Sequence, residues 1–293
     1  MVRRALVIMN SESRGGQNAY KSAIEGLRAN GIDPVHRECA SREQLSPLIE
    51  ADGTDVDIVV VGGGDGTLNA AAAGVLKVKR PMGIIPTGTA NDLARTLGIP
   101  GDPEEAIRII VAAKTRFIDL GSVNGKLFFN VASVGLSAEL ARQLTRDVKR
   151  RFGKLGYALA AAKVLIRARP FRTAILDSTG MVRSLTLQVA VGNGRFYGGG
   201  NIVSSSAQID DGTLDLYSLE FKEAWKLVLL FRSFRRGEHT KLRDVRALRD
   251  TQFEIRTRRP RPVNADGEVV SQTPATFRIL PKVLEVIVPE APA

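Results

Sequence analysis

The sequence predicts an α/β domain built on a parallel sheet, followed by a β-rich, sandwich-like domain, and three observations carry that expectation. Up to about residue 116, short apolar runs alternate with helical patterns, the order that places helices over a parallel sheet. From Phe117 onward the pattern changes to short strands joined by turn residues. A length of 293 residues accommodates two ordinary domains with a sizeable core. The expected division is 1–116, 117–280, and a C-terminal tail over 281–293 that either frays or packs back on the first domain.

In the first part, Arg4–Asn10 reads as a strand, Gln17–Gly31 as an amphipathic helix ending in glycine, and Asp57–Gly63 as a buried strand. Gly66–Leu76 follows as a helix, Pro81–Gly88 as a strand and Ala90–Gly98 as a helix. Asp102–Ala113 reads as a helix capped by Asp102, with Pro103 in its first turn. In the second part, strands are expected at 117–123, 126–133, 172–178, 184–193, 214–219, 252–258 and 275–280. Two helices, near 155–169 and 222–231, interrupt them.

Apolar residues make up 44% and charged residues 25% of the chain, a globular composition rather than a disordered or membrane-embedded one. The single cysteine, Cys39, permits no intrachain disulfide and no zinc cluster, which fits a reducing cytoplasmic setting. The longest apolar passages are broken by lysine and fall short of the roughly 20 residues that cross a bilayer. Net charge is +11, and it is lopsided: 15 basic and 16 acidic residues up to Ala141, then 27 and 15. Such a basic half suits nucleic acid, an anionic membrane or a phosphorylated ligand.

Three valines run into Gly62, Gly63, Gly64, Asp65, Gly66 and Thr67 and then a helix. Glycines at a strand-to-helix turn leave main-chain amides open to phosphate oxygens. A tight turn alone rarely needs four glycines and an aspartate. The spacing matches neither a Walker A loop nor a dinucleotide fingerprint.

GGDGT resembles the signature shared by diacylglycerol kinases, sphingosine kinases, NAD kinases and phosphofructokinases. PTGTANDLARTLGIP, Pro86–Pro100, resembles the stretch that follows it in bacterial diacylglycerol kinases and related lipid kinases. QIDDGTLDLYSL, from Gln208, resembles their structural magnesium loop, and VNADGEVV, from Val263, their catalytic segment. Two departures stand out: NSESRGG replaces the family's Asn-Pro-x-Ser-Gly loop, and Ala70 stands where an acidic residue is usual.

The resemblance implies an ATP-dependent lipid kinase, with a diacylglycerol-type acceptor expected and a sphingoid base, phosphatidylglycerol or NAD as alternatives. A noncatalytic lipid- or nucleotide-binding regulator is the reading from another class. ATP would contact Asn10, Gly63, Gly64, Asp65, Gly66, Thr67, Leu68, Asn69 and Thr89, with Asp65 facing magnesium-ATP. Asp211, with the main-chain carbonyls of Gln208 and Thr213, would hold a structural Mg2+. Locally the same residues suffice for a hairpin turn. Glu268 is the expected proton acceptor and Asp266 its rival, the pair sitting on a hairpin that turns at Asp266-Gly267. Asp92 is read equally as a second acid of the site, ranked after Asp65, and as a helix-capping or structural acid, and Arg95 as a partner of Asp92, a phosphate contact or a solvated cation.

The basic segments Arg146–Lys154 and Phe231–Arg249 interleave cations with phenylalanine and leucine. The expected partner is an anionic membrane surface, with the protein cytoplasmic and peripheral, and no nucleic acid. A homodimer is left open.

Overall fold

The computed structural model describes residues 3–9, 14–37, 39, 41–143, 167–204, 206–229 and 231–290. It forms two compact units, Met1–Leu120 with Pro281–Ala293, and Gly121–Leu280. The first unit follows the order β1 (Arg3–Met9), α1 (Arg14–Ala29), β2 (Ile32–Arg37), α2 (Leu45–Asp52), β3 (Ile58–Gly63), α3 (Asp65–Val78), β4 (Met82–Pro86), α4 (Asp92–Thr96) and α5 (Pro103–Ala112). β5 (Thr115–Val123) then leads into the second unit.

The strands of the first unit pair in parallel in the order β2-β1-β3-β4. Residues 5–9 of β1 and all of β3 are buried. Strands covered on both faces read as continuous apolar runs, which is why these two were legible. Ala19, Ala23 and Leu27 of α1 and Ile107 and Ile110 of α5 pack with Ala5, Val7 and Val60 in one core. Asp102 caps α5 by accepting from Glu104 N at 2.9 Å, with Pro103 next in line, as the sequence predicts.

β2 and α2 carry no clear sequence signal. β2 contains Pro34 and lies at the edge of the sheet, where a missing N–H is tolerated. α2 contains Pro47, and no side chain caps its start.

The second unit continues with β6 (Lys126–Phe128), β7 (Val131–Gly135), α6 (Leu136–Gln143), β8 (Phe171–Asp177), β9 (Gly180–Thr186), β10 (Gln188–Gly192), β11 (Phe196–Tyr197) and β12 (Asn201–Ile202). β13 (Leu214–Leu219), β14 (Val245–Asp250), β15 (Gln252–Thr257), β16 (Pro262–Ala265), β17 (Glu268–Gln272) and β18 (Ala275–Ile287) complete it. The antiparallel sheet β14-β13-β10-β7-β16-β17 packs against antiparallel β18-β15-β8-β9. Val134, Val191 and Leu216 from one side meet Ile175, Phe253 and Phe277 from the other. This is the sandwich the sequence predicts.

Several local expectations change, beginning with residues 126–133, which form two strands, β6 and β7, rather than one. Residues 184–193 form two strands, not one, because Leu187 is a corner between sheets; there Thr186 Oγ1 donates to Gln188 O (2.8 Å) and Leu219 O (2.9 Å). Strand β18 does not stop before Pro281. Lys282 takes a positive φ of 51° and donates its N–H to Asp119 Oδ1 at 2.6 Å, after which Val286 pairs with Met82. Residues 245–250 of the basic segment are strand β14, with Arg246 bound to Glu220 at 2.8 Å. Helices fall at Lys226–Leu229 and Phe231–Arg236 rather than 222–231. Residues 146–154, and 155–166 of the other expected helix, lie outside the described residues.

The other face of the six-stranded sheet carries a second core around Tyr217, Phe221 and Val245. His239 is fully buried in it, stacked on Phe234 at 4.4 Å and edge-on to Tyr217 at 4.8 Å. Burial lowers its pKa from 6.5 to about 4, with the main chain at Ser233 acting the other way. The unfolded chain therefore takes up this proton first, so stability is full above pH 6.5 and falls as pH drops toward 4. The loss amounts to about 3 kcal/mol. His239→Phe, which keeps the ring contacts, should flatten the thermal midpoint across that range. An unchanged slope would place the acid sensitivity elsewhere.

Candidate active site

In the first unit, β3 ends at Gly63 and α3 begins at Asp65, with Gly64 as the cap in extended backbone (φ −93°, ψ −179°). Gly64 O accepts from Thr67 N (2.9 Å) and Leu68 N (3.1 Å). The amides that precede them at the start of the helix have no earlier helical carbonyl to bond and are suited to anionic oxygens.

The glycines are required by space. A Cβ on Gly88 would lie 2.4 Å from Gly64 Cα and 2.7 Å from Asn91 Oδ1, and one on Gly64 would lie 3.1 Å from Gly88 Cα. GGDGT and TGTAND thus touch backbone to backbone. Asn91, at φ 50°, fixes the second loop by accepting from Gly88 N (3.0 Å) and donating to Gly88 O (2.9 Å). Asp65, half-buried in the first turn of α3, accepts from Leu93 N through Oδ1 at 2.9 Å. The aspartate of the first motif thus also anchors the helix of the second.

The remaining residues assigned to ATP fall on both sides of this loop. Thr89 is exposed on the second loop. Thr67 is buried beneath Gly63, and Leu68 is 1% exposed in the core, so only its main chain is available to a ligand. Asn69 is half-buried one position further along α3. Asp92 is buried at the start of α4, and Arg95 is exposed. Asn10 lies outside the described residues, and the two glycines that end the NSESRGG loop, Gly15 and Gly16, belong to α1.

One neighbour has no sequence signature. The Arg42 guanidinium rests on Gly66, whose Cβ would lie 2.6 Å from Arg42 Nη1. The packing of α2 on α3 brings it there, a long-range event no local pattern announces.

In the second unit, Asp266 and Gly267 both have positive φ (46° and 95°), the tight two-residue turn expected between β16 and β17. The structure separates the two acids of this hairpin. Asp266 accepts three main-chain N–H groups: Phe129 at 2.6 Å, Asn130 at 3.0 Å and Val131 at 3.1 Å. Its carboxylate is a clamp on residues 129–131. Glu268 is exposed at the first position of β17.

Beside the clamp lie buried polar residues that the sequence shows only as turn or strand positions. Asn193 donates to Phe129 O at 2.8 Å, and Asn130, Ser133 and Asn264 are each under 10% exposed. Ser133 stands opposite Asn264 in the β7–β16 register.

The proposed magnesium loop is closed differently. Asp211 Oδ1 accepts from Thr213 N (3.0 Å) and Thr213 Oγ1 (2.7 Å), and Oδ2 meets Arg249 Nη2. Arg249 Nε also donates to Thr213 Oγ1 at 2.8 Å and lies 3.9 Å from Asp215 Oδ1. Burial raises the Asp215 pKa, Arg249 opposes the shift, and the Asp211 charge adds to it. Gln208 is exposed. Among the described residues no cluster of three acidic, histidine or cysteine side chains is poised for a metal. A partly hydrated magnesium ion needs open oxygen donors, whereas here a guanidinium already stands on the carboxylate. The arrangement does not fit the ion.

Added magnesium should accordingly leave the wild-type thermal midpoint unchanged. Arg249→Ala should lower it by about 2–4 °C, for roughly 1 kcal/mol of lost ion pairing. A wild-type midpoint raised several degrees by magnesium, in scanning calorimetry without nucleotide, would restore the metal.

Residues 4–123 match the family profile of the diacylglycerol kinase catalytic domain. Residues 130–288 match that of the YegS C-terminal NAD kinase beta sandwich-like domain. An Enterobacter sp. protein named "Probable lipid kinase YegS-like" is 30% identical over 291 residues, covering 97% of this chain and 96% of its own. A Mycobacterium tuberculosis diacylglycerol kinase is 33% identical over 282 residues, covering 92% and 90%. A crystal structure of a candidate diacylglycerol kinase from Bacillus anthracis str. Sterne superposes with a TM-score of 0.80 at 25% identity, covering 99% of this chain and 96% of that one. With both profiles in order along nearly the whole sequence, the chain belongs to the bacterial diacylglycerol kinase and YegS lipid kinase family.

Proposed function

We propose that the protein transfers the γ-phosphate of ATP to the free hydroxyl of diacylglycerol. The observation that carries the reading is the glycine-to-glycine contact of Gly64 with Gly88, which assembles two kinase motifs around the start of α3. Phosphoryl transfer asks a protein chiefly for positioning and charge stabilisation. The amides at the start of α3 would hold phosphate oxygens, and the Arg42 guanidinium at Gly66 would add a cation with planar donors. Magnesium bound with the nucleotide supplies charge neutralisation, and Asp65 offers a hard oxygen suited to it. Glu268 would accept the proton of the attacking hydroxyl, while Asp266 keeps the segment 129–131 in place.

Among the described residues no helix is long and apolar enough to cross a membrane. A diacylglycerol acceptor implies work as a cytoplasmic, peripheral protein.

The test is a panel of diacylglycerol, phosphatidylglycerol, a sphingoid base and NAD with labelled ATP, the products identified by mass spectrometry. Phosphatidic acid should dominate. Preference for another acceptor overturns the substrate, and ATP binding without any phosphorylated product overturns the kinase.

A further inference from the structure

Strands β8 and β15 turn one face into the sandwich core through Phe171, Ile175, Phe253 and Ile255, and β9 extends their sheet beyond β8. The opposite face is exposed and unusual in composition. Register sets Arg172 beside Leu185, Ala174 beside Arg183 and Leu176 beside Met181, with Arg256 next to Ala174 on the other side. Met181 is 50% and Leu185 49% exposed, large values for aliphatic side chains, and they flank Arg183 on the same face of β9.

Two cavities open on this region, of about 560 Å³ and 350 Å³. Arg172 and Arg258 line both; Arg183 and Arg256 join them in the larger, Arg259 and Arg261 in the smaller. Arg256 is held by Glu254 through two bonds of 2.6 and 3.0 Å. Arg261 lies over the Phe171 ring at 4.0 Å. Among the described residues, Arg172, Arg183, Arg258 and Arg259 have no carboxylate within ion-pair distance.

We propose that this face docks the protein on anionic phospholipid bilayers, the arginines taking headgroup phosphates while Met181 and Leu185 enter the apolar boundary. The surface differs from the basic segment ending at Arg249, whose Arg246 and Arg249 are committed to Glu220 and Asp211. Charge complementarity selects the occupant. A second copy docking through the same face would oppose cation to cation. Single-stranded nucleic acid favours aromatic stacking platforms, whereas the outward positions of these strands carry arginine, alanine, leucine and methionine, with Gln252 and Glu254 on β15, and no aromatic ring. A bilayer offers both the phosphates and an apolar layer beneath them. The proposal rests on a lipid acceptor for its purpose, but not for its test.

That test is sedimentation of the full chain with vesicles of phosphatidylcholine alone and of phosphatidylcholine mixed with phosphatidylglycerol, without ATP or diacylglycerol. Wild type should bind the mixed vesicles, lose binding as salt rises, and ignore the neutral ones. Each cation near such a surface contributes roughly fivefold in affinity, so the double variant Arg172→Gln/Arg183→Gln should bind about 25-fold more weakly. Leu185→Ser should also weaken binding. Both variants should turn over a water-soluble short-chain diacylglycerol at the wild-type rate, which would show an intact fold. Wild-type vesicle affinity in the double variant overturns the proposal. So does a loss of dimers with vesicle binding retained, or binding of single-stranded DNA in place of vesicles. Because vesicle binding is read without turnover, failure of the acceptor panel would leave it standing, and the reverse holds equally.

Discussion

Glu268→Gln is expected to lower the turnover of lipid phosphorylation by about 10²- to 10⁴-fold, the usual contribution of a positioned general base. Glutamine keeps the size of the side chain and much of its hydrogen bonding, so ATP affinity and thermal midpoint should stay near wild type. The exposed position of Glu268 at the head of β17 supports that separation. Asp266→Asn should behave in the opposite way. Three N–H donors converge on its carboxylate, and an amide would turn a donor toward at least one of them. The expected loss is roughly 2–4 kcal/mol of stability, with turnover per folded molecule falling less than in Glu268→Gln. Wild-type turnover in Glu268→Gln, measured with saturating ATP, would remove it as the base. If Asp266→Asn proved the catalytically dead member while remaining stable, the roles assigned here would be reversed.

Gly88→Val should reduce ATP affinity by roughly 100-fold, about 2.7 kcal/mol, with the fold retained. Its Cβ would sit 2.4 Å from Gly64 Cα, and the obstacle is backbone, which cannot swing aside as a flexible side chain would. The two loops must part, and α4 would lose its Asn91 brace and its tie to Asp65. Both glycines lie at the surface end of the sheet, so the core around β1 and β3 should persist. Calorimetric titration with a nonhydrolysable ATP analogue reads the effect. Unchanged affinity in a folded variant would take the paired loops out of the nucleotide site.

The elements read correctly were those whose signal is local. Strand β3 shows as an unbroken apolar run because both its faces are buried, and α5 announces itself through Asp102 and Pro103. The turn at Asp266-Gly267 follows from residues that tolerate positive φ. The misreadings share a cause as well. Residues 184–193 alternate without a break, yet the chain changes sheets at Leu187, a decision taken by the partners on either side. The strand expected at 275–280 runs on to Ile287 because the bond of Lys282 N–H to Asp119 joins residues far apart in sequence.

By itself, then, the sequence determined the two-part architecture, the glycine-rich strand-to-helix turn at residues 62–67, and the family. Those depend on periodicity, on glycine's missing side chain and on motif order, all written along the chain. Only the tertiary structure decided that Gly64 needs Gly88, that Arg42 stands at Gly66, that Asp266 is a clamp while Glu268 is exposed, and that Arg249 closes the Asp211 loop. Each of these is a contact between residues distant in sequence, or a surface left over once such contacts form. A carboxylate's role depends on which donors reach it, and that is set by packing.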